Sequence, residues 1–532
     1  MNFSNVKEWT IPEGSVSKVT DSLGRVIWEK QQPTPTITEY FYVEDASGSS
    51  NTLSIKKTNV DAPTLTVYKS TDQTNWSSMG STSLTAITAT IPANGRLYLR
   101  CSAATWGSSA NSSFYNGIGT TGSCNVGGNI NSLLYGSSFN GQTEFPNGVG
   151  NYTFNCLFYN NTHLASAANL LLPATTLANW CYASMFQYCA SLTSAPALPA
   201  TTLAERCYYS MFRSCYSLTS SPALPATTMA ANCYFLMFDS CTSLTTAPAL
   251  PATTLADDCY NGMFNSCYSL TTAPALPATI ITDGCYASMF KYCTALTTAP
   301  SLSATTMATQ CYEGMFQGCT SLTTAPALPA TALAERCYTG MFSGCTSLTT
   351  APVLPATTLA QYCYASMFAN CSSLTTAPAL PATTLAENCY ESMFQNCTLL
   401  ATAPALPATT LPRFCYRYMF SGCSSLTTAP TLPATTMIAF CYAGMFRGCT
   451  SLTTAPALPA TTLAYGCYSL MFSGCSNLNS VTTHADDISA TDCIDNWLQN
   501  VSPTGILHNL GSAVYLTDSA SGIPTGWTEH TS

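Results

Sequence analysis

The stretch Leu172–Ala197, LPATTLANWCYASMFQYCASLTSAPA, decides the architecture of this chain. It recurs with unchanged internal spacing. Its paired cysteines fall at Cys181/Cys189, Cys207/Cys215, Cys233/Cys241 and onward to Cys467/Cys475, twelve copies at a period of 26 residues without an insertion or deletion. A strict period of this size marks a solenoid, each copy being one coil stacked on the last. Inside a coil, Leu177, Cys181, Met185 and Cys189 lie four apart, and Ala178, Tyr182 and Phe186 form a second row beside them. An apolar stripe two residues wide predicts one helix per coil. Thr176 takes the N-cap position, and Thr202 with Glu205, or Thr384 with Glu387, completes a capping box. Pro412 falls in the first turn of its helix, where a missing N–H costs little.

After the helix comes SLTTAPALPA, with Leu192 and its equivalents pointing inward from a short parallel strand. Pro196 recurs in almost every copy and cannot donate to a ladder, so the strand is limited to about Leu-Thr-Thr-Ala. At about 4.8 Å between strands, twelve coils make a body on the order of 58 Å long. The fold class expected is therefore an α/β repeat solenoid of 26-residue coils, one helix and one short strand each, preceded by small all-β structure.

Working outward, residues 1–30 read as a β-hairpin, VSKVTD and VIWEK around a turn at Ser22–Arg25, tethered by the Pro-rich linker 31–36. Residues 37–103 alternate apolar with polar in short runs such as TEYFYV, TLSIK and RLYLR, a β-sandwich pattern. Residues 104–171 read as an N-terminal cap. It contains a degenerate repeat in which Leu157-Phe158 stands for Met-Phe and Asn161 for the second cysteine, with two extra residues following. The array occupies 172–475, and 476–532 is a C-terminal cap over its open edge.

Composition excludes several function classes. Charged residues are only 8%, net charge is −9 and the sequence pI is about 4.8, so no basic face is available for a phosphate backbone and nucleic acid is not expected as a partner. The opening MNFSNVKEWTIPEGSV carries Lys7, Glu8 and Glu13 where a signal peptide needs an apolar core, and no run of eighteen apolar residues predicts membrane insertion. Of the 28 cysteines, 24 belong to the repeat. Cys181 and Cys189 would stand roughly 12 Å apart on a helix, too far to bridge within a coil. Bridges between coils stay open geometrically, and buried free thiols are the expected state. CxxxxxxxC without His lacks zinc-ligand spacing, and neither a metal nor a cofactor is expected.

Catalysis is not expected either. His163, His484, His508 and His530 all lie outside the array, the adjacent pairs Asp257-Asp258 and Asp486-Asp487 do not share a face, and no nucleophile or phosphate-loop motif occurs. Binding is the better reading. The stripe and the SLTTAP corner barely vary from copy to copy, whereas the positions between stripe residues do. They carry Trp180, Tyr209, Arg213, Tyr216, Phe235, Tyr362, Arg413, Phe414, Arg417, Tyr418, Phe440 and Arg447, the candidate receptor-binding residues. The bland alternative is drift at outward positions that packing does not hold.

The run Met-Phe-x-x-Cys-x-Ser-Leu-Thr resembles the 26-residue repeat of bacterial surface proteins, close to the BspA-like leucine-rich repeats, over roughly residues 155–480. GNINSLLYG before the array, with NWLQNVSPTG and GIPTGWT after it, resembles the caps of such arrays in proteins of gut bacteria and their phages. The opening IPEGSVSKVTDSLGRVIWEK resembles the N-terminal segment of gut-bacteriophage structural proteins. These resemblances imply a non-enzymatic virion protein, a tail fibre or other appendage. It would be assembled in the host cytoplasm, docked to other virion proteins through residues 1–30, and bound to a host-surface protein or glycan through the array. A homotrimer is implied by analogy with fibres. The alternatives are a bacterial cell-surface adhesin, or a structural spacer with no receptor.

Overall fold

The computed structural model describes residues 18–20, 26–29, 38–103, 105–107, 115–146, 150–517 and 520–531. Strands β1 (Lys18–Thr20) and β2 (Val26–Glu29) pair antiparallel, Val19 opposite Trp28, as the hairpin pattern required. The hairpin's turn and the Pro-rich linker lie outside the described residues.

The next strands are β3 (Tyr42–Asp45), β4 (Asn51–Lys57), β5 (Thr66–Ser70), β6 (Ser77–Ser81), β7 (Ile87–Ile91), β8 (Arg96–Arg100), β9 (Asn116–Thr120), β10 (Cys124–Asn129) and β11 (Leu164–Leu171). They form a six-stranded sheet, β11-β10-β3-β8-β5-β6, and a three-stranded one, β7-β4-β9. Alternation places Phe41, Val43, Leu97, Leu99 and Val126 of the first sheet, and Leu53, Ile55, Ile91 and Ile118 of the second, in one buried core. Strands from 37–103 and from 104–171 thus share both sheets. The motif GNINSLLYG becomes the end of β10 and α1 (Ser132–Tyr135), the one α-helix among the described residues. Its buried Ser132 hydroxyl accepts from Phe41 N–H and donates to Leu99 C=O, both at 3.0 Å, tying α1 to the sheet.

Strand β11 joins this region to the array. One edge pairs parallel with β10, and the other bridges Ser166 to Ser194 of the first coil. From there each 26-residue coil stacks on its predecessor through backbone hydrogen bonds, but not in the way the stripe predicted. The helix expected at 177–189 is absent. In its place runs a chain of consecutive β-turns: Cys181 N–H donates to Ala178 C=O, Ala183 to Trp180, Met185 to Tyr182, Gln187 to Ser184 and Cys189 to Phe186, each three residues back. The intervening N–H groups leave the coil altogether. Trp180 donates to Glu205, Tyr182 to Cys207, Ser184 to Tyr209, Phe186 to Met211 and Tyr188 to Arg213, at 2.7–3.0 Å.

The cause is a left-handed residue every fourth position. Trp180, Ser184 and Tyr188 have φ of 61°, 54° and 64°, and the equivalent three residues of all twelve coils have positive φ as well. Every second turn therefore has its third residue left-handed, as a type II turn requires. A true α-helix would also have failed the pattern, because a strict four-residue period drifts by about 40° per step against 3.6 residues per turn. The turn ribbon keeps the four-residue rows in register, so Leu177, Cys181, Met185 and Cys189 stay buried together.

The strand of each coil is also shorter than expected. Among the described residues it reduces to single parallel bridges such as Thr246↔Thr272, Thr272↔Thr298 and Thr298↔Thr324, because proline follows two residues later and ends the ladder. A second row of bridges, Thr176↔Thr202 and Thr228↔Thr254 among them, forms at the PATT corner where the N-cap was expected.

Two aromatic columns run through the stack. Tyr182, Tyr208, Tyr234 and their equivalents to Tyr468 stack with centroids 5.6–6.1 Å apart, and Phe186 to Phe472 do so at 5.3–5.8 Å. Parallel, offset rings contribute about 0.5–1.5 kcal/mol per pair beyond burial. The array ends in β12 (Ser480–Thr483), β13 (Gly505–Asn509) and β14 (Trp527–Thr531), a parallel sheet that continues the threonine bridges. The turn ribbon persists once more through Asp492, Asn496 and Asn500, again with positive φ.

A substitution separates this ribbon from a helix. Gly344 has φ 76° and a side chain there meets only ordinary contacts, while Asn370 holds the equivalent position in the next coil at φ 61°. Gly344→Asn should change stability little, whereas Gly344→Val should cost on the order of 2 kcal/mol, since β-branched residues are outliers at positive φ. Asn and Val have similar helix propensities, so equal urea midpoints for the two variants would favour a helix and contradict the ribbon.

Candidate binding face

Each turn ribbon presents one face to the stack and one to solvent. The outer face is built from the left-handed positions and from the residues equivalent to Ala183 and Gln187, whose side chains are not needed for stacking. Most of the candidate residues sit here, and the structure gathers them at the two ends of the array. At the first end, Trp180 stacks on Tyr152 (5.8 Å, 11°) and contacts Tyr209 at 5.4 Å, and Tyr209 stacks on Phe235 at 5.0 Å and 3°. The Arg206 guanidinium lies 5.0 Å over Trp180. Arg213 pairs with Asp239 at 2.8 Å, and Asn265 donates to the other carboxylate oxygen at 2.8 Å. Burial pushes the Asp239 carboxyl above the usual range, against the pull of Arg213.

At the far end, Phe414 stacks on Phe440 at 5.3 Å, and Phe440 meets the exposed Tyr465 edge-on at 4.7 Å. Arg413 lies 5.2 Å over Phe414, and Arg417 reaches Phe414, Tyr418 and Glu391 at 5.3, 5.0 and 3.4 Å. Arg447 is exposed nearby in sequence. Tyr362 stands apart with Arg336 4.6 Å over its ring, and Tyr216, exposed, follows the ribbon at the bend equivalent to Ala190.

Sequence reasoning missed two things. Tyr152, Arg206 and Tyr465 complete the clusters, and only the stacking reveals them. The middle coils carry mostly Gly, Ser, Asn and Gln on this face, with Tyr292 and Tyr362 as isolated rings, and there the face sinks into an open groove of about 470 Å³ running from Asp258 and Asn261 to Asn370 and Gln395.

The cysteines lie on the opposite, buried side. All 28 are buried and unpaired. The second cysteine of each coil donates its S–H to the Phe carbonyl of the preceding coil, Cys215 to Phe186 and Cys241 to Phe212 at 3.1 Å, so it adds a bond between coils as well as volume. Among the described residues no cluster of His, Cys, Asp or Glu could hold a metal ion, and no helix is long and apolar enough to cross a membrane.

A protein-family profile described as "BspA type Leucine rich repeat region" matches residues 209–349, 258–401 and 413–492, together just over half of the chain. The match falls on the stacked coils with their bridging threonines and buried leucines, which define a leucine-rich-repeat protein. The chain belongs to the BspA-type leucine-rich repeat family. No curated protein and no solved structure matches it.

Burial makes these thiols sensors of alkaline pH. It pushes Cys207, Cys337 and Cys389 up to about 12 from an ordinary value of 9.0. Below pH about 9 both folded and unfolded chains keep the protons and stability is whole; as pH rises through 9 toward 12 the unfolded chain releases protons that the folded one holds, and stability falls. The urea midpoint should be flat near neutral pH and drop steeply above pH about 9, with native thiols inert to a thiol reagent that titrates all 28 after denaturation. A midpoint indifferent to alkaline pH would show that the thiols are already solvated.

Proposed function

We propose that the chain is a non-enzymatic adhesion protein, a repeat solenoid whose outer turn face binds a receptor on a host surface while the N-terminal segment docks it to a phage particle. One observation carries the binding reading. Trp180, Tyr362, Phe414, Tyr418 and Phe440 occupy left-handed positions with φ between 52° and 61°, where Gly or Asn is favoured and other residues cost roughly 1–2 kcal/mol each. Drift at unconstrained sites would favour the Gly, Ser, Asn and Asp that hold most of these rows, among which Tyr292, Gln310 and Arg336 are larger exceptions in the middle coils. Bulky rings retained against that cost, half exposed and, at Trp180, Tyr362, Phe414 and Tyr418, lying beside arginines, are the composition of binding anchors. Membership of the BspA-type family, whose repeats commonly mediate surface adhesion, supports the same reading.

Docking by residues 1–30 rests on their resemblance to phage structural proteins, and the virion location follows from it. Location on a bacterial cell surface is the competing reading, and the family membership accommodates both.

Mass spectrometry of purified particles and of cell-envelope fractions decides the location, absence from particles overturning the virion assignment. For the face itself, Arg413→Ala with Tyr418→Ala should lower adsorption to host cells about tenfold or more, equivalent to about 1.4 kcal/mol, with unchanged thermal unfolding. Full adsorption by this variant would remove the far aromatic cluster from the receptor contact.

A further inference from the structure

The groove in the middle coils is not a gap left by small residues alone. It crosses six successive coils diagonally, entering beside Asp258 and Asn261 on one row of the face and leaving beside Asn370 and Gln395 on another. At about 4.8 Å per coil it rises about 24 Å along the array. Its floor is Gly314, Gly340 and Ser366, and a side chain built at Gly340 would meet nothing within 4 Å, so the floor is open at that point.

Its walls are polar and nearly uncharged in sum. Asn261 donates to Asp258 at 2.8 Å and Gln310 to Glu313 at 2.8 Å, fixing two carboxylates with acceptor lone pairs left over. The amides of Gln317 and Gln395 are half buried and make no hydrogen bond, so each offers both a donor pair and an acceptor to the groove. Lys291 is the single cation in the lining, held 5.4 Å over the Tyr292 ring and in no ion pair. Tyr292, 43% exposed, lies across Gly318 beside the groove.

From this geometry we infer that the groove is a binding cleft for an unbranched, uncharged oligosaccharide. Its volume falls in the range of ligand sites. An extended polyhydroxyl chain requires alternating donors and acceptors along its length, which the amide–carboxylate pairs and free glutamines supply. A peptide strand would need an exposed sheet edge, which this face lacks because its N–H groups are all committed to turns or to the next coil. Two carboxylates against one lysine, on a chain of net charge −9, disfavour sulfated or sialylated sugars. The inference rests on the reading of the turn face as the receptor surface, and adds the ligand class and the place.

The test fills the groove without disturbing the fold. Tyr418 occupies the position equivalent to Gly340 and Ser366 at φ 52°, so tyrosine is already accepted there. The full chain, Gly340→Tyr with Ser366→Tyr, and Gln317→Ala with Gln395→Ala would be titrated with unbranched neutral hexasaccharides of glucose, mannose and N-acetylglucosamine, and with a heparin hexasaccharide, alongside host-cell adsorption. Saturable binding of a neutral hexasaccharide, weakened about tenfold or more (about 1.4 kcal/mol) by both variants, with the Gln317→Ala and Gln395→Ala variant unfolding at unchanged temperature and the filled-groove variant still unfolding in one cooperative transition at a slightly lower one, is the expected result. Failure to bind any neutral sugar by a chain that still adsorbs to cells, or equal binding by the filled-groove variant, overturns the cleft and leaves the adhesion reading standing. Preference for heparin overturns the uncharged-ligand assignment. Absence of both sugar binding and adsorption overturns cleft and adhesion together.

Discussion

The structure depends on how half the backbone N–H groups of each turn ribbon are spent. In an α-helix every one would be satisfied four residues back, and neighbouring coils would meet through side chains only. Here a left-handed residue at every fourth position, Trp180, Ser184 and Tyr188 in the first coil, turns alternate N–H groups outward along the stack. Five such bonds join the first ribbon to the second, each contributing a net ~0.5–1.5 kcal/mol. No coil can satisfy its own backbone, so each needs the next. The terminal coils need a substitute: at one end the degenerate ribbon donates from Tyr152, Cys156, Phe158 and Asn160 to the first regular coil, and at the other the last regular coil donates to Thr491, Cys493, Asp495, Trp497 and Gln499 of the closing ribbon, while β11 and the β12–β13–β14 sheet continue the strand bridges.

The buried rows follow from that commitment. Because backbone bonds fix coil spacing, the side chain beneath each bond must have nearly constant volume. Tyr, Met, Phe and Cys recur for that reason, and the rings of successive coils fall into parallel columns. Cysteine is suited to its second site because the pocket is small and the Phe carbonyl beside it retains a free lone pair, which S–H can use and Ala cannot. The residue that stands there in the degenerate first coil, Asn161, keeps a polar group but leaves its own buried amide nitrogen unpaired, a cost that cysteine avoids at this position.

Much of this was legible in the residues. The period, the irregular first coil, the β character before residue 104 and the buried cysteines could all be read from spacing and alternation. The turn ribbon could not be read from the stripe, because residues four apart share a side in both a helix and a ribbon. The distinguishing signal lay at other positions: Gly314, Gly318, Gly340, Gly344, Asn388 and Asn396 all fall on the three rows that must be left-handed. Read as freedom at outward sites, that bias suggests drift; read as a backbone constraint, it makes the bulky residues on the same rows the exception that needs a reason. The groove was not legible at all, since it arises from what six non-adjacent segments lack, and only stacking brings those absences together.

Scaffold and surface are separable in this chain for a physical reason. The bonds that hold coil to coil are made by backbone and by inward side chains, so a change at the position of Gln317 or Arg417 leaves the stack intact, whereas a change at Phe316 or Cys319 interrupts a column. A surface so decoupled can present rings in one region and a polar trough in another without any change of fold. The arrangement here sets aromatic and arginine clusters at both ends of the outer face and a polar groove between them. Since each coil adds the same rise and the same set of open positions, the length of this face is set by coil number, and its specificity by a handful of side chains per coil.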